Sequence, residues 1–178
     1  MDDNFQQVNH YDYVGFWARV GASILDTLIL LPLAFIYLKG VNYARTNQAV
    51  WPMIVISCIS FSYQLYFIVK HGGTPGKLIT SIRIIDEHGS YLSPQKACIR
   101  LIPAIANSII GSISLFAIGL ETKVAISLLK GLISLFVFVD VLFVAFTAKK
   151  RAIHDYMAGS YVVTKNSLSN ENDKTIEI

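Results

Sequence analysis

The chain has 178 residues, of which 53% are hydrophobic and 15% charged, with a net charge of +3 and a mean hydropathy of +0.50. Ordinary soluble domains carry about 25% charged residues. A single core of this length cannot hide so much apolar surface, so the composition excludes a water-soluble globular domain and leaves the bilayer as solvent.

In chain order, residues 1–12 form a polar stretch with Asp2 and Asp3 near its start. A cleavable leader needs a positive region ahead of its apolar stretch. None is expected here, and the first apolar run should stay in the mature protein. Four runs then approach the ~20 helical residues that cross a ~30 Å hydrocarbon core, over residues 16–38, 50–69, 101–120 and 126–148. They predict an all-α integral membrane fold, a bundle of four transmembrane helices forming one domain over 13–165. Cys58 falls on an apolar run and Cys98 at the edge of a polar one, so both are expected as free thiols.

The cytoplasmic side of a membrane protein collects Lys and Arg. The side that receives the N-terminus, the loop 70–100 and the C-terminal tail holds Arg19, Lys70, Lys77, Arg83, Lys96, Arg100, Lys149, Lys150, Arg151, Lys165 and Lys174. The other side holds Lys39, Arg45, Lys123 and Lys130, which completes the 15 basic residues. Both termini are therefore expected in the cytoplasm. Within the loop, Ser81–Leu92 places a turn-rich Asp86-Glu87-His88-Gly89 between β-prone runs and predicts a small cytoplasmic β-hairpin between the second and third helices. Thr74–Thr80 should lie along the membrane surface. The tail 166–178 is polar and is expected to be disordered.

A charged carboxylate at the centre of a membrane helix costs about 2.5–3.5 kcal/mol and tends to face the bundle interior or a wet cavity. Asp26 lies in the first span and Asp140 in the fourth. Either they exchange protons or cations, or they hold helices together by hydrogen bonding. Arg19 precedes Asp26 by two helical turns, about 10.5 Å along the axis, on the same face but beyond direct contact. On the second helix Ser57, Ser60 and Gln64 form a polar stripe that either packs or lines a cavity. On the third, Ala104, Ser108 and Ser112 form a small-residue face suited to close helix packing.

Gly72-Gly73-Thr74-Pro75-Gly76-Lys77 resembles a phosphate loop but has the wrong spacing, with His71 where the first glycine belongs. It reads instead as a turn leading from the second span onto the surface. His10, His71, His88 and His154 have no metal-ligand spacing. No metal, cofactor or enzymatic activity is expected. Nucleic acid is not an expected partner either, because the basic residues spread along the headgroup level without a stacking platform.

Three blocks resemble the bacterial RDD family in order and spacing. Tyr13-Val14-Gly15-Phe16-Trp17-Ala18-Arg19 leads to Ile24-Leu25-Asp26. Gly73-Thr74-Pro75-Gly76-Lys77 precedes Ile82-Arg83-Ile84-Ile85-Asp86. His154-Asp155-Tyr156-Met157-Ala158-Gly159 precedes Tyr161-Val162-Val163. The resemblance implies that Arg19 and Asp26 are the first two residues for which the family is named. Asp155 is the choice for the third, with Asp140 as the other candidate, and Gly73, Thr74, Gly76 and Lys77 form a structural loop. It further implies a multi-pass protein of the bacterial cytoplasmic (inner) membrane. The leading expectation is a monovalent cation/proton exchanger in which Asp26 is the alternately protonated and cation-bound carboxylate, tuned by Arg19, with Asp140, Asp155 and Gln64 as further ion- or proton-binding candidates, assembled as a homo-oligomer. The alternative is a non-enzymatic accessory protein that stabilises another membrane complex. Under both, Arg19, Asp26 and Asp155 are expected in one polar cluster, capped by Lys77 and Arg83.

Overall fold

A computed structural model describes residues 11–114 and 120–168. Residues 1–10, 169–178 and the far end of the third span at 115–119, on which some expectations rest, lie outside the described residues. Among the described residues four helices are long and apolar enough to cross a membrane: α1 (Phe16–Asn47), α2 (Trp51–His71), α4 (Pro94–Ser114) and α5 (Leu120–Leu142). Between them lie a short helix α3 (Pro75–Ile79) and strand β1 (Ile82–Asp86). A 3₁₀ turn (Phe143–Ala145), helix α6 (Ile153–Met157) and strand β2 (Ser160–Thr164) follow α5. Most large apolar side chains along the spans are exposed on the outside of the bundle, including Phe35, Ile54, Leu128 and Phe138, as a lipid-facing surface requires.

Three of the four spans differ in their bounds from expectation, the fourth starting at Leu120 and ending with the turn Phe143–Ala145 where 126–148 was expected. Helix α1 does not stop near residue 38 but runs 32 residues, about 48 Å at 1.5 Å per residue. Its far end stays helical because it packs on α2. Ala44 is fully buried, and a Cβ on Gly40 would stand 2.6 Å from Ile56 Cδ1, so the two backbones approach closely there. The helix ends at Gln48 in the left-handed region (φ 51), whose N–H reaches back to the Ala44 carbonyl. Helix α4 starts at Pro94, not near residue 101. Ser93 accepts from Lys96 N (3.4 Å) through Oγ and from Ala97 N (2.9 Å) through its carbonyl, and proline fits the first helical turn.

The expected hairpin is corrected in its partner. The turn is present: Asp86 Oδ1 accepts from His88 N (2.9 Å) and Ser90 N (3.1 Å), and Gly89 takes φ 79. The local return strand, however, is only an isolated bridge between Ile85 and Tyr91. The ladder of β1 is formed antiparallel with β2, from Ile82 opposite Thr164 to Asp86 opposite Ser160. The N-terminal segment joins on the other side of β2, with Val14 N bonded to Val162 O (2.9 Å) and Thr164 N to Asp12 O (3.1 Å). Burial explains the choice. Ile82, Ile84, Ile85, Val162 and Val163 are all at most 2% exposed, whereas a local hairpin would leave β2 and its apolar residues unpaired. The start of the expected tail is also ordered, since residues 165–168 form a helical turn. The sheet, α3 and α6 therefore knit the N-terminus, the central loop and the closing block into one basic end of the bundle.

Candidate functional site

The basic end is organised around one carboxylate. Asp155, on α6, is completely buried. Arg19, in the first turn of α1, donates from Nη1 to Asp155 Oδ2 (2.7 Å), from Nη2 to the Lys150 carbonyl (2.5 Å) and from Nε to the Val14 carbonyl (3.2 Å). Arg100, two turns into α4, donates from Nη1 to Asp155 Oδ1 and to Ser160 Oγ (2.6 Å). Ala152 N adds a bond to Oδ2 (3.1 Å). One carboxylate thus ties the start of α1, the start of α4 and the chain after α5. Burial pushes the Asp155 carboxyl upward, but Arg100 and Arg19 outweigh it and hold the group well below the usual carboxylate range.

Arg151 supports the cluster from behind. Its guanidinium lies between the rings of Tyr156 and Tyr161, at 4.0 and 4.3 Å from their centroids, and its Nη2 donates to the Asp155 carbonyl (3.1 Å). Lys150 takes φ 47 where the chain turns its carbonyl to Arg19, and its ammonium reaches the Tyr13 carbonyl (3.0 Å).

Asp140, near the end of α5, is 2% exposed. It accepts from His154 N (2.8 Å) at Oδ1, and its Oδ2 meets His154 Nδ1. The other ring nitrogen, Nε2, faces Asp155 Oδ1 at 3.3 Å. The imidazole therefore stands between two carboxylates, and only its doubly protonated form can donate to both.

Asp26 does not join Arg19 and Asp155, contrary to expectation. Its Oδ2 accepts from Thr74 Oγ1 (2.5 Å) and its Oδ1 from Gly76 N (2.7 Å), so it anchors the loop onto α1. A Cβ on Gly76 would lie 2.4 Å from the Ala22 carbonyl and 2.6 Å from Asp26 N. The Gly-Thr-Pro-Gly pattern is thus a docking element: threonine and a free N–H grip the aspartate, and glycine permits the approach. Gly73 N bonds back to the Phe67 carbonyl (3.3 Å) and closes the end of α2. Arg83 does not cap the cluster; it donates to the carbonyls of Ile82 (2.8 Å) and Leu78 (3.5 Å). Lys77 does line a pocket of about 350 Å³ with Arg19, Arg100 and His154.

Gln64 lies elsewhere. With Ser57, Ser60 and Ser108 it lines a separate groove of about 310 Å³ between α2 and α4, where Ser57 Oγ and Ser108 Oγ share a hydrogen bond (3.2 Å). Sequence reasoning brought Arg19 and Asp155 together correctly but placed none of Arg100, Arg151, His154 and Ser160 in the cluster, reading the two arginines only as charges of the cytoplasmic side. The available signals were the Ser93-Pro94 cap, which brings Arg100 onto a helix, and His154 directly preceding the acidic residue.

The uncharacterized protein YckC of Bacillus subtilis is 30% identical over 156 residues, covering 87% of each chain. No solved structure matches the chain. Residues 13–159 match the RDD family, a range that includes every member of the buried cluster except Ser160, and the chain belongs to the RDD family.

Proposed function

We propose that this RDD protein resides in the bacterial cytoplasmic membrane with both termini in the cytoplasm, and exchanges a monovalent cation for a proton at Asp140 and His154. The observation that carries the reading is the imidazole held between Asp140 and Asp155 on the wall of a pocket. Imidazole is the side chain suited to taking and releasing protons near neutrality. When His154 releases its proton, the Asp140 carboxylate loses its cationic partner and takes the transported ion; reprotonation of His154 expels it. Asp155 is committed to two arginines and Asp26 to the loop, so neither is the exchanging group. Four helices pack around a filled core, and a path across the bilayer requires a second copy.

The test is a proteoliposome assay in which an imposed pH gradient is followed by a fluorescent dye while sodium or potassium is added. Wild type should dissipate the gradient, and Asp140→Asn and His154→Gln should not. A gradient untouched by wild-type protein with either ion would end this reading. The alternative, a non-enzymatic protein that stabilises another membrane complex, is favoured by the structural partners that each of the three aspartates already has. It predicts a single recurrent partner on gentle detergent purification and no ion flux.

A further inference from the structure

The charges at the basic end do not balance. Arg19, Lys77, Arg100 and Arg151 meet three carboxylates, of which Asp26 is held by Thr74 and Gly76, Asp140 by His154, and Asp155 by two arginines at once. Lys77 is left over. Among the described residues its ammonium enters no ion pair and donates no hydrogen bond; it feels only longer-range attraction from Asp26 and Asp155, opposed by repulsion from Arg100 and Arg19. A half-buried ammonium in this position loses hydration without a bonded partner, an arrangement that favours an added anion.

Lys77 opens into the pocket of about 350 Å³ that it shares with Arg19 and Arg100. At about 30 Å³ per water, that space holds about ten waters, room for a phosphate and the glycerol behind it. The walls offer both kinds of chemistry. The three cations stand near the starts of α1, α3 and α4, and polar and apolar side chains alternate along α1 as Val20, Ser23, Ile24 and Thr27. Val141 and Val144 continue the apolar wall after α1. Basic pockets between transmembrane helices on the cytoplasmic side are suited to anionic lipid headgroups.

We infer that this pocket binds the phosphate of an anionic phospholipid, with Lys77 as its principal contact, Arg19 and Arg100 supplying the surrounding positive potential, and an acyl chain lying against Val20, Ile24 and Val141. The inference goes beyond the exchange reading and does not depend on it. It uses the cationic part of the pocket, and a lipid site of this kind serves an exchanger and an accessory protein equally.

The experiment is native mass spectrometry of the full chain released from mild detergent. It is titrated in separate arms with phosphatidylglycerol, with phosphatidylcholine, and with inorganic phosphate, and each arm is paired with a thermal melt. Wild type should bind phosphatidylglycerol in preference to phosphatidylcholine and gain Tm from it, while inorganic phosphate alone neither binds nor displaces the lipid. Lys77→Gln should weaken phosphatidylglycerol binding about fivefold, the equivalent of about 1 kcal/mol per basic group at an anionic surface. Lys77→Arg should retain binding. Lys70→Gln, at the exposed end of α2, should leave it unchanged, which separates the pocket from general surface attraction. Ser23→Phe, which fills the pocket without removing a charge, should abolish binding and keeps the test decisive if Lys77→Gln folds poorly. Equal binding of both lipids, or full phosphatidylglycerol binding by both Lys77→Gln and Ser23→Phe, would overturn the site. Binding of inorganic phosphate without the lipid would overturn the lipid as its source.

Discussion

Asp155→Asn tests the central claim of the fold, that one carboxylate clamps three segments of chain. The substitution keeps size and shape but removes the charge, and it leaves Arg19 and Arg100, at 8% and 6% exposure, facing each other without a counter-ion. Removing one partner of a buried ion pair costs about 3–5 kcal/mol, because the other charge stays desolvated. For a domain of 150–250 residues about 2–4 °C of Tm accompanies each kcal/mol, so the expected drop is about 6–20 °C. Fluorescence-detected size-exclusion melting in detergent measures it on small samples. Arg100→Ala should fall in the same range. The double variant Arg100→Ala/Asp155→Asn should be less destabilised than the sum of the singles, because each single change already removes their shared contact. A Tm for Asp155→Asn within about 2 °C of wild type, or strict additivity in the double variant, would refute the clamp.

Three further outcomes follow from the same geometry. Asp155 has a folded carboxyl held below its ordinary value, so its contribution to stability is fully present above about pH 4 to 5 and is lost as pH falls further, the unfolded state binding more protons there; Tm measured against pH should show an acid limb that is blunted in Asp155→Asn. Gly76→Ala should destabilise by about 1–3 kcal/mol, as forced overpacking does, and lower the yield of monodisperse protein; unchanged yield and Tm would show that the α1–α3 approach relaxes freely. Asp26→Asn loses one of the two acceptors that hold Thr74 and Gly76 and should destabilise by about 1–3 kcal/mol, while cation-driven dissipation of a pH gradient survives; its complete loss in a protein of wild-type Tm would return the exchange role to Asp26.

The four membrane helices follow from composition and run length alone, because the cost of leaving apolar surface in water or backbone polar groups in lipid leaves few alternatives. The same physics made Arg19 and Asp155 recognisable as partners, since a buried arginine and a carboxylate expected at the same interface have few other ways to be satisfied. Sequence spacing also marked the Gly-Thr-Pro-Gly turn and the Asp86–Gly89 turn, each of which forms where it was expected.

Tertiary structure decided which groups meet. β1 was expected as an arm of a local hairpin, whereas Tyr161-Val162-Val163 stood only in the closing block of the family resemblance; the pairing of Ile82 with Thr164 joins residues separated in the chain by two membrane spans, and a local hairpin is the natural reading until burial of both strands is known. Asp26 and Arg19 share a face of α1, yet Asp26 turns to Thr74 and Gly76 because the loop brings two donors within reach before Arg19 can. Arg100 belonged on paper to a charged loop. It enters the cluster because Ser93 and Pro94 start α4 two turns early and rotate it inward beside Asp155. Periodicity and composition report how each segment meets its solvent, whereas the choice among several possible partners for a buried charge is made by distances that exist only after the segments have packed.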